Sequence, residues 1–362
     1  MLSVLRRTIW FLLPALAMTA HAQTTQRQYQ LQKSGDAPAV LRLVDAPVRQ
    51  PAAHEVLVRV HAASLNRRDI YVMRGQYPGP QRPNLVPLSD GAGEVVAVGD
   101  GVARFRKGDR VASIFFQQWI DGRAKPEYLG SSLGGAIDGM LSQYVTLPES
   151  GLVKIPKYLS YEEAATLPCA GVTAWNGLVT RGHTQPGDYV LLIGTGGVSI
   201  LGLQLALALD AKPVITSSSD EKLARAKALG AVATVNYKTT PDWDKAVLAA
   251  TGGAGVAQAL EVGGKDTLPK TLASLGFGGH VALIGGLSSF GGDIPAPSLM
   301  GRNITASGIY VGSRADFEAL NAFLEKHPIK PVIDKVFAYE DAPAAYTYMD
   351  SGALFGKVVI KL

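Results

Sequence analysis

An uninterrupted apolar run that breaks into a glycine-rich turn constrains this chain more than any other feature. Val190 to Ile193 are all apolar, which is typical of a parallel strand covered on both faces. The turn Gly194-Thr195-Gly196-Gly197-Val198-Ser199 follows, and Ile200 to Leu209 then reads as an apolar helix. In such a unit, glycines let the backbone approach a pyrophosphate, whose charge sits at the helix N-terminus. The segment therefore predicts a dinucleotide site that includes Gly194, Gly196, Gly197 and Val198.

The fingerprint departs from its usual form at one position. Ser199 stands where the pattern expects a last glycine. An ordinary strand-to-helix turn of an α/β protein is the alternative interpretation. The strand before the turn and the long helix after it favour the dinucleotide site.

Length and composition narrow the class of protein. A chain of 362 residues favours two domains, and 47% hydrophobic with 18% charged residues is typical of a globular protein. The formal charge is +5 without any basic run, so we expect no nucleic-acid partner. Cys169 is the single cysteine, which excludes an intramolecular disulfide.

The N-terminus has the pattern of a signal peptide covering residues 1–22. A basic start with Arg6 and Arg7 precedes the apolar run Thr8–Ala20, and Ala20-His21-Ala22 fits a small-x-small cleavage site. The run is too short to span a bilayer and no later stretch qualifies, so we expect no stable membrane insertion. The mature chain would then start near Gln23 in the periplasm. A misassigned start, giving a cytoplasmic protein, and an uncleaved anchor remain the alternatives.

Export and a dinucleotide cofactor are compatible only if the cofactor leaves the cytoplasm with the protein. Arg6-Arg7 followed by Thr8-Ile9-Trp10 is a partial twin-arginine pattern, the type of signal that exports folded proteins. Replacing Arg6 and Arg7 by Lys should therefore leave the precursor in the cytoplasm, as measured by cell fractionation. Export of this variant at the wild-type level would exclude the twin-arginine route.

The rest of the chain divides into two kinds of pattern. From Tyr29 to about Val145, short alternating apolar runs separated by glycine and proline predict a β-rich unit. From about Ser160, strands and helices alternate, which is typical of a parallel sheet. The predicted strands are Val190–Ile193, Pro213–Thr216, Ala233–Asn236, Ala259–Val262, His280–Ile284 and the terminal Lys357–Ile360; the predicted helices include Ser219–Leu229, Asp266–Leu275 and Ala315–His327.

Several motifs together resemble the zinc-free branch of the medium-chain dehydrogenase/reductase superfamily, near the quinone oxidoreductases. Besides the glycine turn they are Ser64-Leu65-Asn66-Arg67-Arg68-Asp69, Ser89-Asp90-Gly91-Ala92-Gly93, Gly108-Asp109-Arg110-Val111, Leu167-Pro168-Cys169-Ala170-Gly171-Val172-Thr173-Ala174-Trp175 and Gly356-Lys357-Val358. The resemblance covers Tyr29 to Leu362. It implies an α/β protein with a GroES-like β-barrel catalytic domain, residues 23–159 completed by 313–362, and a Rossmann doubly wound parallel-sheet domain, residues 160–312. It also implies a cleft site between the domains and a homodimer through an edge strand, for which Ile304–Val311 is the candidate.

The resemblance also bears on metal binding. Alcohol dehydrogenases of this superfamily hold zinc with a Cys, a His and a second Cys, and the matching positions here are Asn66, Ser89 and Cys169. One thiolate with an amide and a hydroxyl is a poor zinc site. Arg68 stands where those enzymes carry a proton-relaying hydroxyl, a part that it cannot play. The sequence therefore predicts no metal and a reaction other than ordinary alcohol oxidation.

Reduction of a quinone or an enone does not require a metal ion to polarise the substrate, because the conjugated carbonyl already accepts a hydride. Tyr77 resembles the proton donor of enoyl reductases, and Tyr71 sits where related tyrosines face the nicotinamide. Asn66 is expected to bind the substrate carbonyl or the nicotinamide ribose. Packing of both tyrosines under a loop is the alternative. Phe115, Phe116 and Trp119 are candidates for an apolar pocket wall.

The second strand of the parallel sheet bears on the choice of cofactor. NAD-specific sites place a carboxylate after this strand, whereas Ser217 and Ser218 stand there in this chain. Hydroxyls together with Lys222 and Tyr237 favour NADPH over NADH, although capping of the following helix explains the serines equally. The resemblance further implies cofactor contacts from Thr173, Gly263, Gly285, Arg314 and Lys357.

Together these observations predict a zinc-independent, NADPH-dependent oxidoreductase that transfers hydride to quinones or α,β-unsaturated carbonyls. A metal-free alcohol dehydrogenase or ketone reductase is the alternative among enzymes. A non-catalytic dinucleotide-binding redox sensor is the alternative from another class.

Overall fold

The structure is a computed structural model that describes residues 24–33, 38–79, 82–289, 291 and 293–362. The predicted signal peptide, residues 1–22, lies outside these ranges. Over the described residues, no helix combines the length and apolar character that crossing a membrane requires.

The first part of the chain is rich in strands. It contains β1 (Thr25–Gln32), β2 (Val40–Pro47), β3 (Glu55–Leu65), β4 (Asp90–Val98), β5 (Arg110–Ser113), β6 (Tyr144–Pro148) and β7 (Leu152–Lys154), with helices α1 (Arg67–Met73) and α2 (Pro126–Leu129). This is the β-rich unit that the alternating runs predict.

Strands and helices alternate in the middle of the chain. In order they are α3 (Tyr161–Ala164), α4 (Val172–Trp175), β8 (Tyr189–Ile193), α5 (Gly197–Ala208), β9 (Lys212–Ser217), α6 (Asp220–Ala228), β10 (Ala233–Asn236), α7 (Trp243–Ala250), β11 (Val256–Glu261), α8 (Leu268–Ser274), β12 (Leu275–Leu283), α9 (Ala296–Met300) and β13 (Thr305–Gly308). Two π-helical turns, Leu167–Gly171 and Asn176–Thr180, flank α4.

The C-terminal segment returns to the first unit. It comprises α10 (Arg314–Lys326), β14 (Ile333–Ala338), α11 (Ala342–Ser351) and β15 (Lys357–Lys361). β15 pairs antiparallel with β3, and Val358 lies opposite Leu65. The sheet order is therefore β14-β15-β3-β4-β5-β7, with β6 also on β3. A barrel-type sheet built from both ends of the chain is the GroES-like domain that the sequence predicts.

The second sheet has the strand order β10-β9-β8-β11-β12-β13, and its neighbouring strands pair in parallel. From β8 the chain builds outward to β9 and β10, and it then returns to place β11, β12 and β13 on the other side. This is the doubly wound Rossmann arrangement, and it confirms the predicted fold class. Ligands of such sheets bind beyond the carboxyl ends of the two strands where the order reverses, here β8 and β11.

α5 packs closely on this sheet, and a hydrogen bond to the sheet explains the unusual Ser199 of the fingerprint. A Cβ added to Gly202 would lie 2.8 Å from Leu260 Cδ1, so this glycine lets the helix approach β11. Ser199 is buried, and its Oγ donates to the Ile193 carbonyl at 2.7 Å. The serine thus satisfies the last carbonyl of β8 at a position where the fingerprint usually carries glycine.

The predicted element boundaries differ from the structure mainly at glycines. β12 begins at Leu275, five residues before the predicted His280, because Leu275 already pairs with Val256 while the Gly276–Gly279 stretch forms a bulge that shows no period-2 pattern. The proposed edge strand Ile304–Val311 is shorter, Thr305–Gly308, and Val311 leaves it with φ +58°. The remaining predicted strands and helices of this domain lie within a few residues of their positions.

Candidate active site

The glycine turn leaves an open space at the start of α5. Gly194 has φ +76°, a left-handed conformation that favours glycine. Gly196 is the N-cap of α5, and Val198 lies in its first turn. A Cβ added to Gly194 or Gly196 would meet no atom within 4 Å. Free backbone N–H groups beside an unfilled space, at a helix N-terminus, fit the pyrophosphate of a dinucleotide.

The end of β9 carries the residues predicted to choose the cofactor. Ser217 is buried, and its carbonyl accepts the Tyr237 N–H at 3.1 Å, so the serine and the exposed tyrosine lie side by side. Ser219 caps α6 by accepting the Lys222 N–H at 3.3 Å, which assigns the capping role to this serine rather than to Ser217 or Ser218. Lys222 Nζ donates to the Gly352 carbonyl at 2.8 Å.

A buried carboxylate that the sequence analysis did not single out organises the end of β11. Glu261 accepts hydrogen bonds from the N–H groups of Gly263 and Gly264 at 2.6 and 3.0 Å, and from Thr267 Oγ1 at 2.6 Å. The Thr271 hydroxyl donates to its second oxygen. Glu261 therefore fixes the loop beyond β11, at the point where the strand order reverses. Gly285 lies in the adjacent loop beyond β12.

Lys357 occupies the centre of the catalytic domain's part of the cleft. Its side chain is 2% exposed, and Nζ donates to Asn66 Oδ1 at 2.6 Å and to the Leu65 carbonyl at 2.7 Å. Asp90 Oδ2 lies 3.7 Å from the same ammonium. Lys357 is therefore a buried strand residue, and its Cδ lies 2.6 Å from where a Cβ on Gly197 would stand, which places it beside the glycine turn.

Two of the three positions that match zinc ligands donate to Asp90, and the third, Asn66, is joined to Asp90 through the Lys357 ammonium. Ser89 Oγ donates to Asp90 Oδ1 at 2.7 Å, and the Cys169 N–H donates to Oδ2 at 3.2 Å. Burial is the main cause that raises the pKa of the Cys169 thiol. Among the described residues, no group of three or more His, Cys, Asp or Glu side chains is placed to hold a metal ion. A neutral thiol, a hydroxyl and an amide beside an ammonium do not fit zinc.

Beside this network lies an aromatic group around Arg68, whose side chain is buried. Its guanidinium carbon lies 4.8 Å from the centre of the Tyr77 ring and 4.6 Å from that of Phe115. Nη1 donates to the Leu133 carbonyl at 2.8 Å. Sequence reasoning discarded Arg68 because it cannot relay a proton, yet the structure places its charge against the predicted proton donor.

Tyr310 reaches Tyr77 from the Rossmann domain. Their hydroxyl oxygens are 3.4 Å apart, and the Tyr310 ring lies 5.0 Å from that of Phe116. Burial raises the pKa of Tyr77, and the nearby Arg68 charge opposes that rise. Sequence reasoning missed Tyr310, although its place just beyond the carboxyl end of a Rossmann strand was a usable signal.

Two further predicted site residues lie on helices. The Tyr71 ring lies 5.6 Å from the Arg67 guanidinium carbon, on α1. Arg314 opens α10, where it donates to the Ser150 carbonyl at 3.2 Å and lies 3.4 Å from Glu318. Thr173 is buried on α4, four residues after Cys169.

Comparisons with known proteins agree with this architecture. The family described as "Alcohol dehydrogenase GroES-like domain" matches residues 52–157, and "Zinc-binding dehydrogenase" matches residues 197–326. A zinc-type alcohol dehydrogenase-like protein of Schizosaccharomyces pombe is 47% identical over 314 residues, which is 85% of this chain and 91% of that protein. The chain belongs to the medium-chain dehydrogenase/reductase superfamily.

Solved structures and a further relative show the breadth of this superfamily. A putative alcohol dehydrogenase from Sinorhizobium meliloti superposes with a TM-score of 0.89 at 40% identity, covering 94% of this chain and 100% of that one. A quinone oxidoreductase from Pseudomonas syringae gives 0.77 at 31% identity, covering 93% and 100%. Quinone oxidoreductase-like protein 2 of Bos taurus is 29% identical, covering 90% and 89%. The chain is thus an NAD(P)H-dependent oxidoreductase of this superfamily.

The open space beside the glycine turn leads to a direct test. Replacing Gly196 by Ala should leave the fold intact, because the added methyl meets nothing and the residue's φ of −79° suits alanine. The methyl should instead fill the space that a pyrophosphate needs, and we expect at least a tenfold weaker Kd for NADPH, about 1.4 kcal/mol. Isothermal titration calorimetry with NADPH measures this, alongside thermal unfolding.

Gly130→Ala is the matched control for this substitution. Gly130 is exposed at the end of α2 with φ −68°, and an added Cβ would meet only the Glu127 carbonyl oxygen at 3.9 Å. This variant should bind NADPH like the wild type. Equal NADPH affinity of the Gly196 variant and the wild type would place the pyrophosphate elsewhere.

Proposed function

We propose that this protein is a zinc-independent, NADPH-dependent reductase that transfers hydride to quinones or α,β-unsaturated carbonyl compounds. One observation carries the proposal. The Lys357 ammonium, held by Asn66 and Leu65 and close to Asp90, supplies the positive charge where metal ligands would otherwise converge. The Asp90 carboxylate accepts the Ser89 hydroxyl and the Cys169 N–H, so two of the three positions that match zinc ligands act as donors to it.

NADPH would be held along the edge where the strand order reverses. The glycine turn takes the pyrophosphate, and Ser217, Ser218, Lys222 and Tyr237 lie where the adenosine phosphate would be. No acidic side chain follows β9 directly, and Asp220 at the start of α6 is engaged by the Asn236 amide at 2.7 Å. A lysine with nearby hydroxyls suits a 2′-phosphate better than a bare ribose. Bound NADPH supplies the hydride.

The substrate side of the cleft favours a planar conjugated molecule. Tyr77 and Tyr310 present aromatic surfaces there, backed by the buried ring of Phe116, and Tyr77 is the candidate proton donor. The Asn66 Nδ2 group is buried and has no hydrogen-bond partner among the described residues. Because Lys357 holds Asn66 Oδ1, the amide is oriented with its N–H₂ group free to bind a carbonyl oxygen.

A metal-free alcohol dehydrogenase or ketone reductase is the second candidate. The names of the Schizosaccharomyces pombe and Sinorhizobium meliloti relatives favour alcohol dehydrogenase activity, and the first of them is a zinc-type name. Both candidates use the same cofactor cleft. They differ in whether the compound that accepts the hydride is a conjugated carbonyl compound or a simple ketone. A redox sensor would bind NADPH without turnover.

The assay that separates these functions follows NADPH oxidation by the metal-stripped protein from Gln23 onward. We expect turnover with benzoquinones or small enones, unchanged by chelator, and a preference for NADPH over NADH. Activity on ketones alone would establish the alcohol dehydrogenase alternative. NADPH binding without turnover would favour the sensor.

Cys169→Ser is the matched variant for the metal question. It removes the one thiol at the ligand positions but keeps the backbone N–H that holds Asp90. We expect its turnover number to stay within about twofold of the wild type, because the proposed reaction uses no thiolate. Zinc-dependent recovery of stripped protein, together with loss of activity in Cys169→Ser, would contradict the zinc-independent mechanism.

A homodimer through the Rossmann sheet completes the proposal. β13 is the last strand of that sheet, and Phe277 and Met300 nearby are 81% and 79% exposed. They lie close together because the Gly278 N–H donates to the Arg302 carbonyl at 2.8 Å. Large exposed apolar side chains beside an open strand edge favour association. Sedimentation velocity should give the dimer mass, and Phe277→Glu should shift it to the monomer; a monomeric wild type would contradict this assembly.

A further inference from the structure

We propose that Arg68 and Tyr310 form a proton-delivery relay with Tyr77, in which Arg68 stabilises the Tyr77 phenolate and Tyr310 returns a proton from solvent. Tyr77 would deliver the proton that completes the reduction. This inference rests on the proposed reduction of a conjugated carbonyl compound, and it adds two residues from different parts of the chain to that reaction.

The surroundings of Arg68 suit the stabilisation of a transient negative charge. The guanidinium lies between the rings of Tyr77 and Phe115, and its side chain is 7% exposed. Nη1 is bound to the Leu133 carbonyl, but Nε and Nη2 have no hydrogen-bond partner among the described residues. Unused donors on a buried cation are costly in the resting protein. They become favourable when a phenolate forms beside them.

Asp69 is the carboxylate that acts on this pair. Its Oδ1 forms an ion pair with Arg68 Nη1 at 3.7 Å, which is too long for a hydrogen bond, so the Nε and Nη2 donors of Arg68 stay available. Burial raises the pKa of Asp69 to about 6, and it also raises the pKa of the Cys169 thiol, so that thiol carries no charge at neutral pH. Tyr310 is the remaining titratable group that acts on Tyr77. Arg68 is therefore the one cation facing Tyr77 among these neighbours.

Tyr310 joins Tyr77 on the solvent-exposed side of the site. Its hydroxyl lies 3.4 Å from Tyr77 Oη, and the residue is 42% exposed. The backbone beyond it is held under strain, because Val311 is β-branched and has φ +58°. The Asn176 side-chain amide donates to the Val311 carbonyl at 2.8 Å and holds this conformation. Such strain persists where surrounding structure fixes a functional geometry, here that of Tyr310.

The proton steps balance with one NADPH and one solvent proton. Hydride addition to the β-carbon of an enone breaks the C=C π bond and leaves an enolate. The Tyr77 O–H bond then breaks, its proton goes to the enolate, and the phenolate charge lies beside Arg68. Tyr310 transfers its proton to Tyr77 and takes one from water. The net reaction reduces the substrate by two electrons and oxidises NADPH to NADP⁺.

The electrostatic coupling between Arg68 and Tyr77 is tested by measuring a pKa, which needs neither bound cofactor nor an activity assay. A trifluorotyrosine incorporated at residue 77 titrates at lower pH than tyrosine does, and its ionisation is followed by absorbance. Arg68→Met in the same protein should raise that pKa by about 1 to 3 pH units, because an opposite charge within about 6 Å is lost. Arg68→Lys should restore part of the difference. An unchanged pKa in Arg68→Met that still unfolds cooperatively would overturn the role of Arg68.

The relay through Tyr310 is tested in the active enzyme. Tyr310→Phe should retain the single-turnover rate of NADPH oxidation, while kcat falls roughly tenfold and its solvent deuterium isotope effect rises. Small protonated bases added to the buffer, such as imidazolium, should restore part of kcat. Tyr77→Phe should lose roughly 100-fold in kcat. Tyr144→Phe, a partly buried tyrosine on β6, is the matched control and should behave as wild type.

The outcomes separate the relay from the proposed function. Wild-type levels of kcat and isotope effect in Tyr310→Phe, in an enzyme that reduces enones, would overturn the relay while leaving the function standing. A wild type without turnover on any carbonyl substrate would overturn the function, and with it the relay. A raised fluorotyrosine pKa in Arg68→Met would still establish the electrostatic pair in that case.

Discussion

The buried ammonium of Lys357 is the interaction on which the active site depends. It comes from β15, near the end of the chain, and it binds Leu65 and Asn66 at the end of β3. A charge this deeply buried is tolerated only when hydrogen bonds and a counter-charge repay its desolvation. Asn66, Leu65 and Asp90 provide them. The same contact sets the orientation of the Asn66 amide and places β15 beside the glycine turn, where the Gly356 N–H donates to the Thr195 carbonyl at 3.0 Å.

This arrangement gives the cleft a fixed positive charge that belongs to the chain itself. In a zinc enzyme, a metal ion polarises the substrate oxygen. Here Ser89 and Cys169, at two of the corresponding positions, donate hydrogen bonds to Asp90. The donors without a partner among the described residues are the Asn66 amide and the guanidinium of Arg68. Hydrogen-bond donors of this kind stabilise charge that develops on a conjugated carbonyl, which is a smaller demand than ionising an alcohol. The site chemistry and the proposed substrate class are therefore consistent.

Much of the fold could be predicted because its signals are local. The apolar run of β8, the glycine turn and the helix after it lie within 20 residues, so periodicity and turn chemistry were sufficient. Boundaries were less accurate where a glycine-rich stretch bulges out of a strand, as at the start of β12. The candidate site was predicted only in part. Asn66 and Tyr77 came from motifs, whereas Tyr310 acts through a neighbour far away in the chain.

The sequence by itself determined the two domain types and the dinucleotide turn, because each follows from residue chemistry within short segments. Only the tertiary structure decided the roles of Lys357, Arg68 and Tyr310. Lys357 and Asn66 are 291 residues apart in the chain, and Tyr77 and Tyr310 are 233 apart. Pairing of β15 with β3 brings Lys357 and Asn66 together. Contact between the two domains brings Tyr77 and Tyr310 together. A charge acquires its function from such neighbours, because electrostatic and hydrogen-bond energies depend on distance and burial rather than on sequence position.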